Sequence, residues 1–194
     1  MLMRKNGVKN MYELKGDVAY LYVTNKNYSN KSIVFSSEHL DEVRRFKWTI
    51  NSKGYCISTT KFDQRVIFLH RLVTKCPEDL VVDHINHDTF NNVDDNLRIC
   101  TDRENSFNKG IRKDNKCGYR GVSFHKASCK WRCELRVDGK KKWIGLYNTP
   151  EEAYQARLKA EKEYFGEFRY LEKEKVVPTA IDTTPLNTLQ SVPM

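Results

Sequence analysis

The chain has 194 residues and a mass of 22.8 kDa, room for one ordinary domain or two small ones and not for a large multidomain enzyme. Hydrophobic residues make up 39% and charged residues 30%, a balance that suits a globular chain with a modest core. The longest apolar runs, Val66–Leu69 and Leu80–Val82, fall far short of the roughly 20 residues needed to cross a bilayer, so a spanning helix is excluded. Met1–Asn10 is basic but leads into no apolar stretch, which argues against a secretory signal and for a cytoplasmic protein.

Net charge is +9, and its position says more than its size. The window from Lys109 to Thr149 holds twelve Lys and Arg against Asp114, Glu134 and Asp138, so it carries the whole excess. Basic residues there alternate with aromatic and aliphatic ones, as expected for a surface that meets a polyanion. The rival reading is a solvated basic face. Six cysteines show no paired C-x-x-C spacing, and without a secretory signal they read as free thiols, not as disulfides or a zinc site.

In chain order, residues 1–80 mix β-rich runs (Val18–Thr24, Ser32–Phe35, Tyr55–Thr60 and Arg65–His70) with polar turns at Asn25–Asn30 and Ser52–Gly54. A helical piece is predicted near Glu38–Phe46, and the whole reads as a β-rich N-terminal extension of the unit at 81–109. Residues 81–109 open with an apolar strand ending in Asp83-His84. A polar segment, Ile85 to Asn96, leads to a second strand, Leu97–Cys100. Thr101 and Glu104 then form a T-x-x-E capping box that starts a helix at Asp102. Strand, long loop, strand and helix place Asp83 and Asn105 on facing elements.

Those residue types suit hydrolysis of a phosphodiester. A hard divalent cation takes oxygen ligands, which Asp83 and Asn105 can supply. His84 is placed to act as general base toward a water, and His87 offers a rival imidazole three residues on. An Asn/Asp-rich turn before a capped helix is the non-catalytic alternative. His70, in an apolar run, reads as a core residue.

The run Val82-Asp83-His84-Ile85-Asn86-His87-Asp88, then Asp95-Asn96-Leu97-Arg98-Ile99-Cys100-Thr101 and Glu104-Asn105, resembles the HNH endonuclease signature of phage and homing type. Phe46-Lys47-Trp48 and Leu69-His70-Arg71-Leu72-Val73 resemble the sheet that usually precedes it. The resemblance implies a ββα-metal core in which Asp83 and Asn105 bind one Mg²⁺ or another divalent ion such as Mn²⁺. It further implies His84 as base and Asn96 as the residue that holds the loop so that His84 points correctly. It also suggests a bacterial or phage-infected cell as the setting. His87 stands where this type often has Gly.

Residues 110–117 read as a linker and 118–170 as a second unit. Tyr119–His125, Lys130–Val137 and Lys140–Tyr147 are strand-like, with an Asp138-Gly139 hairpin turn between the last two. Alternation puts Trp131, Cys133, Leu135 and Val137 on one face of the middle strand and Arg132, Glu134 and Arg136 on the other. A helix comes next, with Thr149 as N-cap, Pro150 at its first position, Glu152 completing a capping box and Gly166 ending it. Ala153, Ala156 and Ala160 let it lie close on the sheet. The Pro-rich tail, 171–194, reads as disordered.

Tyr119-Arg120-Gly121-Val122, Lys130-Trp131, Glu134-Leu135-Arg136, Trp143-Ile144-Gly145 and Glu151-Glu152-Ala153 resemble the Apetala-type, or ethylene-response-factor-like, DNA-binding domain. That resemblance implies a three-stranded sheet lying in the major groove of duplex DNA, with Arg120, His125, Glu134, Arg136, Lys141 and Trp143 at the interface. Lys141 and His125 stand where Arg is usual, and Ser123 replaces another Arg, so base preference is expected to differ. Trp131 is expected in the core.

The fold expected is therefore α+β: a nuclease core with a β-rich N-terminal extension, then a three-stranded antiparallel sheet packed on one helix. The function expected is metal-dependent nicking of duplex DNA, with no membrane role. A DNA-binding regulator with a silent nuclease-like module is the alternative.

Overall fold

The computed structural model describes residues 10–23, 28 and 32–172. The predicted tail from 173 onward, residues 1–9 and most of the Asn25–Asn30 turn lie outside the described residues. The first half is built on β1 (Met11–Lys15), β2 (Val18–Tyr22) and β3 (Ser32–Ser36), an antiparallel meander. Alternation drives Ala19, Leu21, Ile33 and Phe35 to one side, where all four are fully buried. A 3₁₀ turn at Ser37–His39 leads into the short helix α1 (Leu40–Val43), within the stretch read as helical. Strands β4 (Thr49–Ile50), β5 (Cys56–Thr59) and β6 (Val66–Phe68) form a second small sheet.

One expectation fails here. The run Arg65–His70 is not a single strand: β6 stops at Phe68, and Leu69–Thr74 is a helix, α2. Its Leu69 and Val73, one turn apart, both face the core around Trp48, so a helical spacing hidden in an apolar run overrides the β-rich composition. β1 has no counterpart among the predicted runs, because only Tyr12 of its five residues is buried.

The middle segment has the expected order. β7 (Val81–His84) pairs antiparallel with β9 (Leu97–Cys100), and α3 (Asp102–Phe107) comes after them. Thr101 Oγ1 accepts from Glu104 N, and the Glu104 carboxylate accepts from Thr101 N at 2.8 Å, completing the capping box. The intervening loop is not free-standing. Its Asn91–Asn92, here β8, adds parallel to β3 as the fourth strand of the first sheet.

In the second half, β10 (Val122–His125), β11 (Lys130–Val137) and β12 (Lys140–Tyr147) form an antiparallel sheet covered by α4 (Pro150–Phe165). Asp138 and Gly139 both take left-handed φ, 52° and 72°, as a tight hairpin turn requires. Cys133 and Leu135 are buried beneath α4 with Ala153 and Ala160, and Trp131 packs against the same cluster while contacting Phe124. A register shift between Cys133 and Glu134, invisible in the alternation of β11 itself, leaves Ile144 on β12 free to join that core. Glu152 N is capped by Thr149 as expected, but the Glu152 carboxylate accepts from Asn148 N and not from the cap's own amide.

The two halves are packed together. The rings of Phe107 on α3 and Phe165 on α4 stack with centroids 4.0 Å apart and planes 9° from parallel. Arg103 of α3 pairs with Asp138 in the hairpin turn.

Candidate active site

Asp83 and His84 end β7, and strand alternation sends their side chains to opposite sides; both are buried. Asp83 faces the C-terminal half. Its Oδ2 accepts from Arg98 Nε at 2.9 Å and Nη2 at 2.6 Å. Asn108, just past the end of α3, donates from Nδ2 to both Asp83 oxygens, at 3.0 and 2.9 Å, and to the His84 carbonyl at 3.2 Å. The Oδ1 of the same amide is buried and has no hydrogen-bond partner among the described residues.

His84 faces the N-terminal half, where its ring meets His70 edge-on at 5.2 Å and Tyr55 at 6.1 Å. Burial is the largest influence on its proton affinity and holds its pKa below the usual histidine value. Asn92 fixes which nitrogen carries the proton. Its Nδ2 donates to the Thr89 carbonyl at 3.2 Å, which turns Oδ1 toward His84 Nε2 at 3.3 Å. An amide oxygen only accepts, so Nε2 is the protonated nitrogen and Nδ1 is left with a lone pair to receive a proton. Because Asn92 lies in β8, the first sheet seats the partner of His84.

Asn96 is buried, and its side chain makes its hydrogen bonds to the loop and not to His84. Its Oδ1 accepts from Asn86 N at 3.0 Å, and its Nδ2 donates to the Asn91 carbonyl at 2.7 Å, cross-linking the two ends of the loop. Between them His87 adopts a left-handed φ of 61°, which explains why glycine suits this position. Asn105 is half-buried on α3, with its backbone N–H donating to the Thr101 carbonyl at 3.0 Å. Asn108, one turn further along the same helical face, is the asparagine that reaches Asp83. Sequence reasoning passes over Asn92 and Asn108. The N-x-x-N spacing from Asn105 is the available signal for Asn108, whereas nothing local marks Asn92.

Glu38, His39 and Asp94 gather elsewhere, with His39 Nε2 2.9 Å from Asp94 Oδ1. This pair ties the loop's short 3₁₀ turn to the end of β3, assisted by Asp94 N donating to Ser36 Oγ at 3.0 Å.

On the C-terminal sheet, the face away from α4 carries Arg132, Glu134 and Arg136 from β11, with Lys141 and Trp143 opposite Arg136 and Glu134 on β12. Trp143 is 56% exposed, a large apolar ring left in solvent among cations. Glu134 lies 3.3 Å from Lys141 Nζ, and His125 Nδ1 lies 2.8 Å from Ser128 Oγ. Arg120 is placed differently. It is buried on the α4 side, paired with the fully buried Glu161, which also accepts from Arg157 Nε at 2.5 Å. Gly121, at φ 71°, permits this arrangement: a Cβ there would meet the Arg157 guanidinium at 2.5 Å.

The family model for HNH endonucleases matches residues 64–107, which span α2, β7, the loop, β9 and α3. The likeness to HNH endonucleases thus falls on the segment that carries Asp83 and His84. The chain is also 34% identical over 132 residues to an uncharacterized HNH endonuclease, L560, of Acanthamoeba polyphaga mimivirus, covering 65% of this chain and 66% of that protein. It is 36% identical over 64 residues to Protein 3.8 of Escherichia phage T7, covering 33% of this chain and 53% of the phage protein. The chain thus matches just under two thirds of the first relative and about half of the second. No solved structure matches it. The HNH match includes Asp83, His84, Asn92, Asn96, Arg98 and Asn105 and ends one residue before Asn108. No helix among the described residues is long and apolar enough to cross a membrane.

Proposed function

We propose that the protein is a metal-dependent HNH endonuclease that nicks duplex DNA, in a phage or mobile-element setting, with its C-terminal sheet as a major-groove reader of Apetala type. The observation that carries the nuclease reading is the buried Asp83-His84 pair, in which Asn92 leaves His84 Nδ1 unprotonated and Asn108 donates to the carboxylate while its own buried Oδ1 has no donor. A buried acceptor without a donor beside a buried carboxylate is the environment a cation satisfies. The available donors, the Asp83 carboxylate and the amide oxygens of Asn105 and Asn108, are all hard oxygens and suit Mg²⁺ or Mn²⁺, one per site. When bound, such an ion stabilises the charge that develops on the scissile phosphate and its leaving oxygen.

His84 Nδ1 takes a proton from the attacking water, and its depressed pKa keeps that nitrogen free at neutral pH. Asn96 keeps the loop closed behind it. Attack from one such site breaks one strand, leaving a 3′-hydroxyl and a 5′-phosphate. His125, Glu134, Arg136, Lys141 and Trp143 present the charged and aromatic face to DNA, whereas Arg120 serves the core of that unit. A cleft between α3 and this sheet, lined by Arg103, Lys109, Arg112 and Arg136 as well as Asp138, supports a phosphate-binding surface beside the reader.

The test is conversion of supercoiled plasmid to open circles at low salt, with Mg²⁺ or EDTA. Metal-dependent nicking by the wild type supports the reading. Plasmid binding without cleavage under any divalent ion transfers the function to a DNA-binding regulator.

A further inference from the structure

The five residues after α4 are placed where a mere tether would not need them. Gly166, at φ 53°, ends α4 and turns the chain back toward the HNH segment, and Gly166–Phe168 forms a 3₁₀ turn. Its carbonyls face Arg98. Nη1 donates to the Glu167 carbonyl, Nη2 reaches the Phe168 carbonyl at 3.5 Å, and the Phe168 ring lies 4.9 Å from the guanidinium carbon. The same guanidinium holds Asp83 through Nε and Nη2. Tyr170, two residues on, places its ring 5.1 Å from His87 in the loop and 4.7 Å from the Arg120 guanidinium. The strap Gly166–Tyr170 therefore meets the HNH segment at two places, Arg98 on β9 and His87 in the loop.

The geometry points to a specific role, which rests on the nuclease reading above. The strap is a positioning element of the cation site: it fixes Arg98, and Arg98 fixes the Asp83 carboxylate in the orientation that binds a divalent ion. Arg98 approaches Oδ2 alone, and Oδ1 accepts from the Asn108 side-chain amide at 3.0 Å, so the guanidinium sets the tilt of the carboxylate without covering both oxygens. A guanidinium held only by Asp83 would sample many rotamers of a long side chain, at a substantial entropic cost to order. Two carbonyl acceptors and an aromatic face remove that freedom before any ion arrives. Groups that orient a ligating carboxylate in this way typically account for ten- to a hundredfold in metal affinity.

The competing account is that the strap only glues the two halves together. Glue affects folding stability and leaves the ion affinity of the folded protein untouched. The experiment is a titration of the full chain with Mn²⁺, in the absence of DNA, reading free ion by electron paramagnetic resonance. Wild type is compared with the double variant Phe168→Ala/Tyr170→Ala, with Arg98→Lys, and with Phe168→Tyr, at a temperature where circular dichroism finds each one folded. The double variant and Arg98→Lys are expected to bind Mn²⁺ about tenfold more weakly, whereas Phe168→Tyr, which retains the ring, binds as wild type does. The Mg²⁺ concentration for half-maximal nicking should rise in parallel, with plasmid affinity in EDTA unchanged. Folded variants whose Mn²⁺ affinity stays within twofold of wild type overturn the strap's role and leave the nuclease reading standing. A wild type that neither binds Mn²⁺ nor nicks overturns both.

Discussion

Asp83 and His84 are adjacent in the chain yet answer to different halves of the molecule. His84 is held from the N-terminal side, by Asn92 in a sheet begun at Met11 and by the rings of His70 and Tyr55. Asp83 is held from the C-terminal side, by Arg98, Asn108 and, through Arg98, the strap after α4. The supports differ in kind as well as in origin. Those around His84 are aromatic rings and one amide, and burial among them lowers its proton affinity; those around Asp83 are a guanidinium and an amide, which keep a buried carboxylate tolerable. One strand, by its alternation alone, sends two adjacent side chains, Asp83 and His84, into two environments.

Perturbing one half at a time tests this division. The largest effect expected is on the stability of the C-terminal half. Glu161→Ala leaves Arg120 and Arg157 buried without their shared carboxylate and should lower unfolding free energy by about 3–5 kcal/mol in urea titrations. His84→Ala acts on the other side, and its nicking rate should fall on the order of a hundredfold or more while plasmid affinity in EDTA holds.

Acid should weaken the N-terminal side next. Burial, aided by the neighbouring His84, lowers the pKa of His70 to about 3. The unfolded chain therefore binds a proton at this residue below about pH 6.5 that the folded chain refuses, so stability is lost as pH falls. One such group gives a slope of about 1.4 kcal/mol per pH unit, or about 2 kcal/mol between pH 6.5 and 5. Urea midpoints of His70→Phe should be correspondingly flatter over that interval.

Smaller still, Asn92→Leu removes the acceptor that selects the His84 tautomer. A loss of about tenfold in nicking is expected with Mn²⁺ affinity unchanged, the mirror image of the strap variants. The least effect belongs to the exposed face of the C-terminal sheet. Arg136→Gln should reduce the slope of log affinity against log salt by about 0.9 if that side chain neutralises one phosphate.

The distribution of what can be read in the sequence tracks the same division. The Asp83-His84 pair, the Thr101–Glu104 box, the Asp138-Gly139 turn and the Thr149 cap are local signals, set by chemistry within a few residues. Each is in place in the fold. The asparagine partners are harder. Asn92 matters because a strand at 32–36 accepts it, and Arg98 because carbonyls at 167 and 168 receive it; no window of sequence contains both ends of either contact. Arg120 shows the reverse error. The Apetala-type resemblance implies an outward-facing DNA contact for it, but the buried Glu161 claims it for the interior.

The parallel pairing of β3 with β8 also bears on how the protein is made. Chains emerge from the ribosome N-terminus first and fold in that order. The hydrogen-bond partners that set His84 and its loop exist once Asn96 has emerged, whereas Arg98 must wait for Glu167 and Phe168. A chain arrested anywhere between these points carries a supported His84 beside a partly supported Asp83. On the proposed nuclease reading, the acid-bearing side is completed only once the strap has been synthesised.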